Sequence, residues 1–481
     1  MLKKYLFLIV LLFLAPRIFP QINKEQLRNE IDTLLRDDFF KSANIAIEIY
    51  DLTAYDTLYK FNEKKLLNPA SNMKLLTSAA GLIFLGPRHN FFTSVRYTGD
   101  VIDHTLHGDV YVDGDFDPDI GTGDLYHFIN DFLKLGIEEI DGNLYADISK
   151  KDTISWGWGW MWDDNPSTDA PYLSPLNINS NAIDVYVLGT VQGEKAQIFT
   201  DPETEYVRII NNTITSSLEE QNIYVTRDWQ NRNNDIYVGG IIAPPVSAAG
   251  DTIKRSVNIY RPDLYFLTLL KEKLQENGIT LKGKMGVLKN PSGSRWLSFF
   301  NHTYDNVMTY MNKVSDNLSA EMVLYTLAES FNGVPVTASE GLRVIDSLLT
   351  LSGVPRNTYL AADGSGVSRY NLFSADHILS VLKYIYYNYQ RLFELYYNSL
   401  PIAGIDGTLR NRMQGTDAEG NVHAKTGTLR GVSCLSGYAK AKNNHLIAFS
   451  ILMQGFIYQT DYARSIQDRI CILISNYIES K

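Results

Sequence analysis

Three short motifs hold side chains able to perform acyl transfer. Ser71 and Lys74 stand three residues apart in Ser71-Asn72-Met73-Lys74, and Ser315-Asp316-Asn317 and Lys425-Thr426-Gly427 follow in that order. A serine hydroxyl becomes an effective nucleophile when a neighbouring base takes its proton. On a helix, side chains at i and i+3 share a face with Cβ atoms about 5–6 Å apart, so the Lys74 amine can reach the Ser71 hydroxyl. For that amine to act as a base near neutrality, its pKa must fall by roughly three units from about 10.4, a cost of about 4 kcal/mol. Burial and a second cation such as Lys425 both push it down. Each motif alone is weak evidence. Ser-x-x-Lys recurs at Ser380 and Lys383, and Ser-x-Asn at Ser42, Ser256 and Ser330, whereas Lys-Thr-Gly occurs once. Ser380 falls well inside an amphipathic helical pattern. Ser71 falls at the start of one, where backbone amides and the helix dipole favour developing negative charge.

The elements that must position these motifs can be read from periodicity. Leu27, Ile31, Leu34 and Leu35 follow a helical pattern, and Ile45, Ile47 and Ile49 alternate with Ala46, Glu48 and Tyr50 as in a strand. The helix begun near Ser71 carries Leu75, Leu76, Ala79, Leu82 and Ile83 and stops at Gly86-Pro87. Helical patterns return over 263–277, with Asp263 as N-cap and Gly278 at the stop, then after Asn317 and over 375–389. Strands are expected over 424–429, 433–441 and 446–453, and a closing helix over 461–477. Residues 91–255 read as short alternating segments, such as 105–112 and 184–188, interrupted by one helix over 125–135. The stretch from Ser71 to Ser315 far exceeds the roughly 12–15 residues at which structureless loops become uncommon, so it must fold as an insert. The expectation is an α/β (α+β) chain in which 22–90 and 256–481 form one domain and 91–255 an inserted β-rich one.

Composition narrows the field further. With 45% hydrophobic and 20% charged residues the chain can bury a large core. A formal charge of −10 without a Lys/Arg-rich block offers no footprint for nucleic acid. Met1-Leu2-Lys3-Lys4 leads into an apolar run over 5–15, shorter than the about 20 residues needed to span a bilayer. Residues 1–21 therefore read as a secretory signal, with a retained anchor as the alternative. The expected location is the periplasm or cell envelope. Two cysteines, Cys434 and Cys471, are too few for a disulfide framework and read as small buried hydrophobes. No G-x-S-x-G, H-E-x-x-H, Walker or G-x-G-x-x-G motif occurs, and no metal or cofactor is expected.

Around the three motifs lie Asn68-Pro69-Ala70, Asp363-Gly364-Ser365-Gly366-Val367-Ser368-Arg369, the run from Pro401 through Ile405-Asp406-Gly407-Thr408-Leu409, Thr428-Leu429, Gly431-Val432-Ser433 and Gly437-Tyr438. With these the chain resembles the D-alanyl-D-alanine carboxypeptidase/endopeptidase family, the class C low-molecular-mass penicillin-binding proteins. The resemblance covers most of the chain and is weakest in the middle. It implies a transpeptidase/β-lactamase-like domain, with an antiparallel sheet flanked by helices, carrying an insert with a nested subdomain. It also implies roles: Ser71 as the acylated nucleophile, Lys74 as base, Ser315 as proton relay to the leaving amine, and Asn317 as holder of the acyl-side amide. Lys425, Thr426 and Thr428 would bind the terminal carboxylate, with Gly427 also among the substrate-binding positions. The amides of Ser71 and Thr428 would form the oxyanion hole. The partners implied are peptidoglycan stem peptides, with β-lactams as covalent inhibitors.

Other residues leave two readings open. Arg369 is expected either beside the peptide cleft or bridging two lobes through its planar fork of donors. Asp363 is expected to hydrogen-bond its own turn. Trp156, Trp158, Trp160 and Trp162 hold four of the six tryptophans at alternate positions, followed by Asp163 and Asp164. The resemblance implies that Asp164 faces the cleft and receives a stem-peptide amino group; the plainer reading is aromatic packing. Asp113, Asp115, Asp117 and Asp119 also alternate, but Pro118 and Asp124 stand where a calcium loop needs Gly and Glu, so a turn is expected. His423 shares a strand face with Lys425 and reads as packing. The alternatives to a D,D-peptidase are a serine β-lactamase or esterase on the same scaffold, and a catalytically silent envelope-binding protein.

Overall fold

The computed structural model describes residues 21–217, 220–245 and 252–479; the expected signal segment, but for Gln21, lies outside them. Both ends of the chain build one antiparallel sheet. Its strands run, in spatial order, Val422–Leu429, Val432–Lys440, Leu446–Gln454, Asn44–Asp51 and Asp56–Phe61. Ile45, Ile47 and Ile49 share a face, as their alternation requires, and pack with Leu27 and Ile31 of the helix Lys24–Leu34 and with Ile466 and Ile470 of the helix Thr460–Ser475. The opposite face is covered by a second core, built from the helices Met73–Phe84, Tyr304–Lys313, Asn317–Asn332, Ala338–Leu351, Ala375–Asn388 and Gln390–Ser399. The strand Val422–Leu429 forms the sheet edge, and Pro401 and Ala403 bond only to its beginning.

The intervening chain folds into four more sheets around a third core. The largest joins Asn90–Tyr97, Val110–Gly114, Leu144–Asp147, Met285–Val287 and Arg295–Thr303. The strand Arg295–Thr303 pairs with Asn90–Tyr97, and Phe266, Leu269 and Leu270 of the helix Pro262–Glu276 pack with Val110, Val112 and Leu144. Chain beyond 256 therefore stays with the middle sheets until Tyr304.

Two local expectations change. Residues 105–112 are two strands, Thr105–His107 and Val110–Gly114, in different sheets. They part at Gly108, where a Cβ would lie 2.0 Å from the Thr98 carbonyl oxygen. Asp263 is not the N-cap. The helix begins at Pro262, whose fixed φ suits a first helical position, and Asp263 accepts from Arg261 Nε at 2.9 Å. No helix among the described residues is long and apolar enough to cross a membrane.

Candidate active site

Ser71 sits in a single 3-10 turn, Ala70–Asn72, that leads into the helix Met73–Phe84. Three close approaches fix this turn. Ala70 has φ 45°, sustained by its amide bond to Asn68 Oδ1 at 2.8 Å. Gly366, at φ 89°, lets the 363–369 loop lie against it: a Cβ there would meet the Ala70 carbonyl oxygen at 1.9 Å. Gly427 does the same for the edge strand, where a Cβ would lie 2.8 Å from the Pro69 oxygen. Asn72 Nδ2 then donates to the Lys425 carbonyl at 2.9 Å, tying the helix start to the strand. Gly427 thus brings the strand in by having no side chain and faces the turn, not the cleft.

The three motifs meet. Lys74 is fully buried, and its Nζ reaches Ser71 Oγ at 3.2 Å, the Ser365 carbonyl at 2.7 Å and Asn317 Oδ1. Burial pushes its pKa down to about 8, against the pull of Asp363, Asp316, Glu321 and Asp169. Lys425 is also fully buried, and its Nζ donates to Ser315 Oγ at 2.8 Å and to the Thr426 carbonyl at 3.0 Å. Burial and then the Lys74 charge hold the Lys425 ammonium well below its ordinary range. Ser315 adopts φ 66°, a left-handed corner from which Asp316 caps the helix Asn317–Asn332 through Ser319 N at 2.6 Å. Asn317, first in that helix, aims its oxygen at Lys74, while its Nδ2 donates to the Asp169 carbonyl at 2.6 Å.

These groups open on a cleft of about 1040 Å³. Ser71, Ser315, Asn317, Thr426, Thr428 and Arg369 line it, together with Asp163, Asp164 and Asp169 and with Arg410, Arg430 and Arg464, the last paired with Asp461. Thr426 Oγ1 donates to Thr408 Oγ1 at 2.8 Å, and Arg464 Nη2 to Thr428 Oγ1 at 3.3 Å. The Ala424 amide bonds outward to Pro401 O at 3.0 Å. Strand period two therefore turns the Thr428 amide toward the same open edge. The Ser71 amide has no acceptor among the described residues. A buried amine beside a helix-start hydroxyl, with a second hydroxyl–ammonium pair across a cleft, is an arrangement for serine acyl transfer.

The remaining expected residues fall into place individually. Arg369 lines the cleft and is half-buried. Asp164 also lines it, while its Oδ2 accepts from the Met161 amide at 2.8 Å. Asp363 receives the amides of Gly366 at 2.9 Å and Ser368 at 2.6 Å, within its own turn. It also accepts from buried Trp160 Nε1 at 2.9 Å, so one of the four tryptophans is a strut for this loop. His423 packs, its ring stacked on Tyr397 at 3.8 Å between centroids. Cys434 and Cys471 are buried and free. Asp117 accepts from the Asp119 amide at 3.0 Å, a turn contact, and from His302 of the strand Arg295–Thr303 at 2.9 Å. Sequence reasoning missed Asn72, although it stands inside the first motif, and Glu321, which no motif marks.

The chain belongs to the D-Ala-D-Ala carboxypeptidase 3 (S13) family, which matches residues 27–477. It is 31% identical over 467 residues to the D-alanyl-D-alanine carboxypeptidase of Actinomadura sp. (strain R39), covering 94% of this chain and 85% of that one. It is 26% identical to the D-alanyl-D-alanine carboxypeptidase DacB of Haemophilus influenzae, over 86% of each chain. Among solved structures, penicillin binding protein 4 from Haemophilus influenzae superposes with a TM-score of 0.80 at 25% identity, covering 93% of this chain and 98% of that one. The family's members are serine peptidases of the penicillin-binding class, and the expected α/β (α+β) fold, with an antiparallel sheet flanked by helices, holds.

Proposed function

We propose that this chain is an exported D,D-peptidase that cleaves D-alanyl bonds of peptidoglycan stem peptides through a Ser71 acyl-enzyme, by carboxypeptidase or endopeptidase action, and is acylated by β-lactams. The observation that carries the reading is Lys74 Nζ, buried and 3.2 Å from Ser71 Oγ. In the neutral form Lys74 takes the hydroxyl proton, and Oγ attacks the carbonyl carbon of the penultimate D-alanine. The amides of Ser71 and Thr428 receive the oxyanion, a contribution of about 3–4 kcal/mol per donor in other acyl-transfer enzymes. The proton gained by Lys74 is relayed through the Ser315 hydroxyl, held by Lys425, to the leaving amine, which leaves Lys74 neutral again and Ser315 unchanged. Water then hydrolyses the ester, with Lys74 again accepting a proton.

Recognition follows from the cleft walls. Thr426, Thr428 and the Lys425 ammonium suit the substrate carboxylate, and Arg464, which donates to Thr428 Oγ1, adds a further cation beside them. The open edge of the strand Val422–Leu429 suits an extended peptide added as a further strand. Asn317 orients Lys74 through Oδ1, and its Nδ2 has a second hydrogen, besides the one given to the Asp169 carbonyl, for the acyl-side amide. Asp164 in the cleft wall suits a stem-peptide amine, and Arg369 an anionic group of the substrate. We assign the middle unit to residues 90–303, later than the 255 limit that composition suggested, because the strand Arg295–Thr303 closes its largest sheet. A solved relative's description names a complex with a β-lactam, which favours penicillin as the probe.

The test is incubation with a fluorescent penicillin and with a peptide ending in D-Ala-D-Ala. Wild type should give a lasting adduct and D-alanine release, and Ser71→Ala neither. Rapid penicillin turnover without a lasting adduct would favour a β-lactamase. D-alanine release that survives in Ser71→Ala would remove Ser71 from the chemistry, and no release from wild type would favour the binding-protein alternative.

A further inference from the structure

A second buried acid stands behind the catalytic amine. Glu321, on the helix Asn317–Asn332, is 1% exposed, and its Oε1 accepts from the amides of Gly364 at 3.0 Å and Ser365 at 2.8 Å. The carbonyl of that same Ser365 receives Lys74 Nζ at 2.7 Å. One residue, Ser365, thus lies between carboxyl and amine. The loop is packed close on both sides: a Cβ on Gly364 would lie 2.8 Å from the Ala320 oxygen and one on Gly366 1.9 Å from the Ala70 oxygen. Trp160 and Asn371 hold the neighbouring Asp363 from the other side.

We propose that Glu321 is a positioning residue for Lys74: its carboxyl anchors the Gly364 and Ser365 amides so that the Ser365 carbonyl meets Nζ, and its charge sets the pH at which Lys74 can accept the Ser71 proton. Charge counting supports the second half. The groups facing this pocket are Lys74 from its own helix, Asp363 from the loop, Tyr325 from the helix carrying Glu321, and, around Lys74, Lys425, Asp316 and Asp169. Burial and then Asp363 raise the Glu321 carboxyl to about 8, the value to which burial lowers Lys74. Each group's charge favours the charged form of the other. An ionised Glu321 favours the ammonium; a neutral one releases the free amine.

The inference rests on Lys74 being the acylating base, and the experiment separates the two ideas. The second-order rate of penicillin acylation is measured from pH 5 to 10 for wild type, Lys74→Ala, Glu321→Gln and Glu321→Asp, with thermal melting for each. Lys74→Ala should lose the rise with pH; an unchanged rise there refutes the base reading itself. Glu321→Gln keeps an acceptor for both amides and removes the charge, so the rise should move to lower pH by about one unit. A rise that stays in place or moves up overturns the proposal, because a purely structural anchor is satisfied by Gln. Glu321→Asp keeps the charge and withdraws the anchor by one methylene. It should hold the wild-type pH dependence while lowering the rate about tenfold, and a full wild-type rate would overturn the anchoring role even if Glu321→Gln failed to fold.

Discussion

Two buried cations in different parts of this chain lead opposite lives. In the middle unit Arg227 is 1% exposed, yet its donors are caged: Nε on the Asn258 carbonyl at 2.9 Å, Nη1 on the Asn233 carbonyl at 2.7 Å, and Nη2 on Asn258 Oδ1 at 2.9 Å and Asn165 Oδ1 at 3.0 Å. At the cleft, Lys74 is as deeply buried but bonds a hydroxyl, an amide oxygen and a carbonyl while sharing its surroundings with Lys425. Burial lowers the pKa of both. A guanidinium starts too high to lose its proton, so in Arg227 burial produces only a rigid polar joint. An amine starts within reach, so in Lys74 the same burial produces a base. The lesson is that desolvation becomes reactivity only where the group can change charge.

The sharpest way to break that contrast is at the hydroxyl. Ser71→Ala should cut D-alanine release on the order of 10⁴-fold and abolish the penicillin adduct seen by mass spectrometry, with melting close to wild type. Arg227→Met should do the reverse. It leaves several buried carbonyl oxygens without donors, so denaturant unfolding should show a loss of about 3 kcal/mol, while the folded fraction turns over at the wild-type rate. Next, wild-type acylation should rise with pH through about 8, because Lys74 is an ammonium below that value and a free amine above it. A flat profile there would separate Lys74 from the chemistry. Gly427→Ala should lower acylation about tenfold by pushing the edge strand off the Pro69 oxygen. The smallest effect is expected in the cleft wall. Asp164→Asn should weaken kcat/KM severalfold for a peptide bearing a side-chain amine and leave its acetylated counterpart unchanged.

Much of this was readable before any coordinates. The isoleucine alternation marked the face of a sheet strand because period two is a local property of extended backbone. Gly278 and Pro87 ended helices for equally local reasons. Asp263 was misread because an Asp before an apolar run is an N-cap signal, yet Pro262 stood one residue earlier, where it takes the first helical position. Gly108 broke a strand for a cause no local rule holds, the approach of a distant carbonyl. Trp160 was noticed only for its company of tryptophans; its indole bond to Asp363 spans the two units.

The sequence by itself determined the reacting groups and their order: a hydroxyl and an amine one helical turn apart, a second hydroxyl before a helix, and an ammonium on a strand. It could do so because capping, periodicity and i, i+3 proximity depend only on neighbours along the chain. Only the tertiary structure decided how basic Lys74 is, which carbonyl holds it, and that Glu321 stands behind that carbonyl. Those depend on burial and on charges drawn from three separate segments, and the free energy of a buried charge is a property of its surroundings.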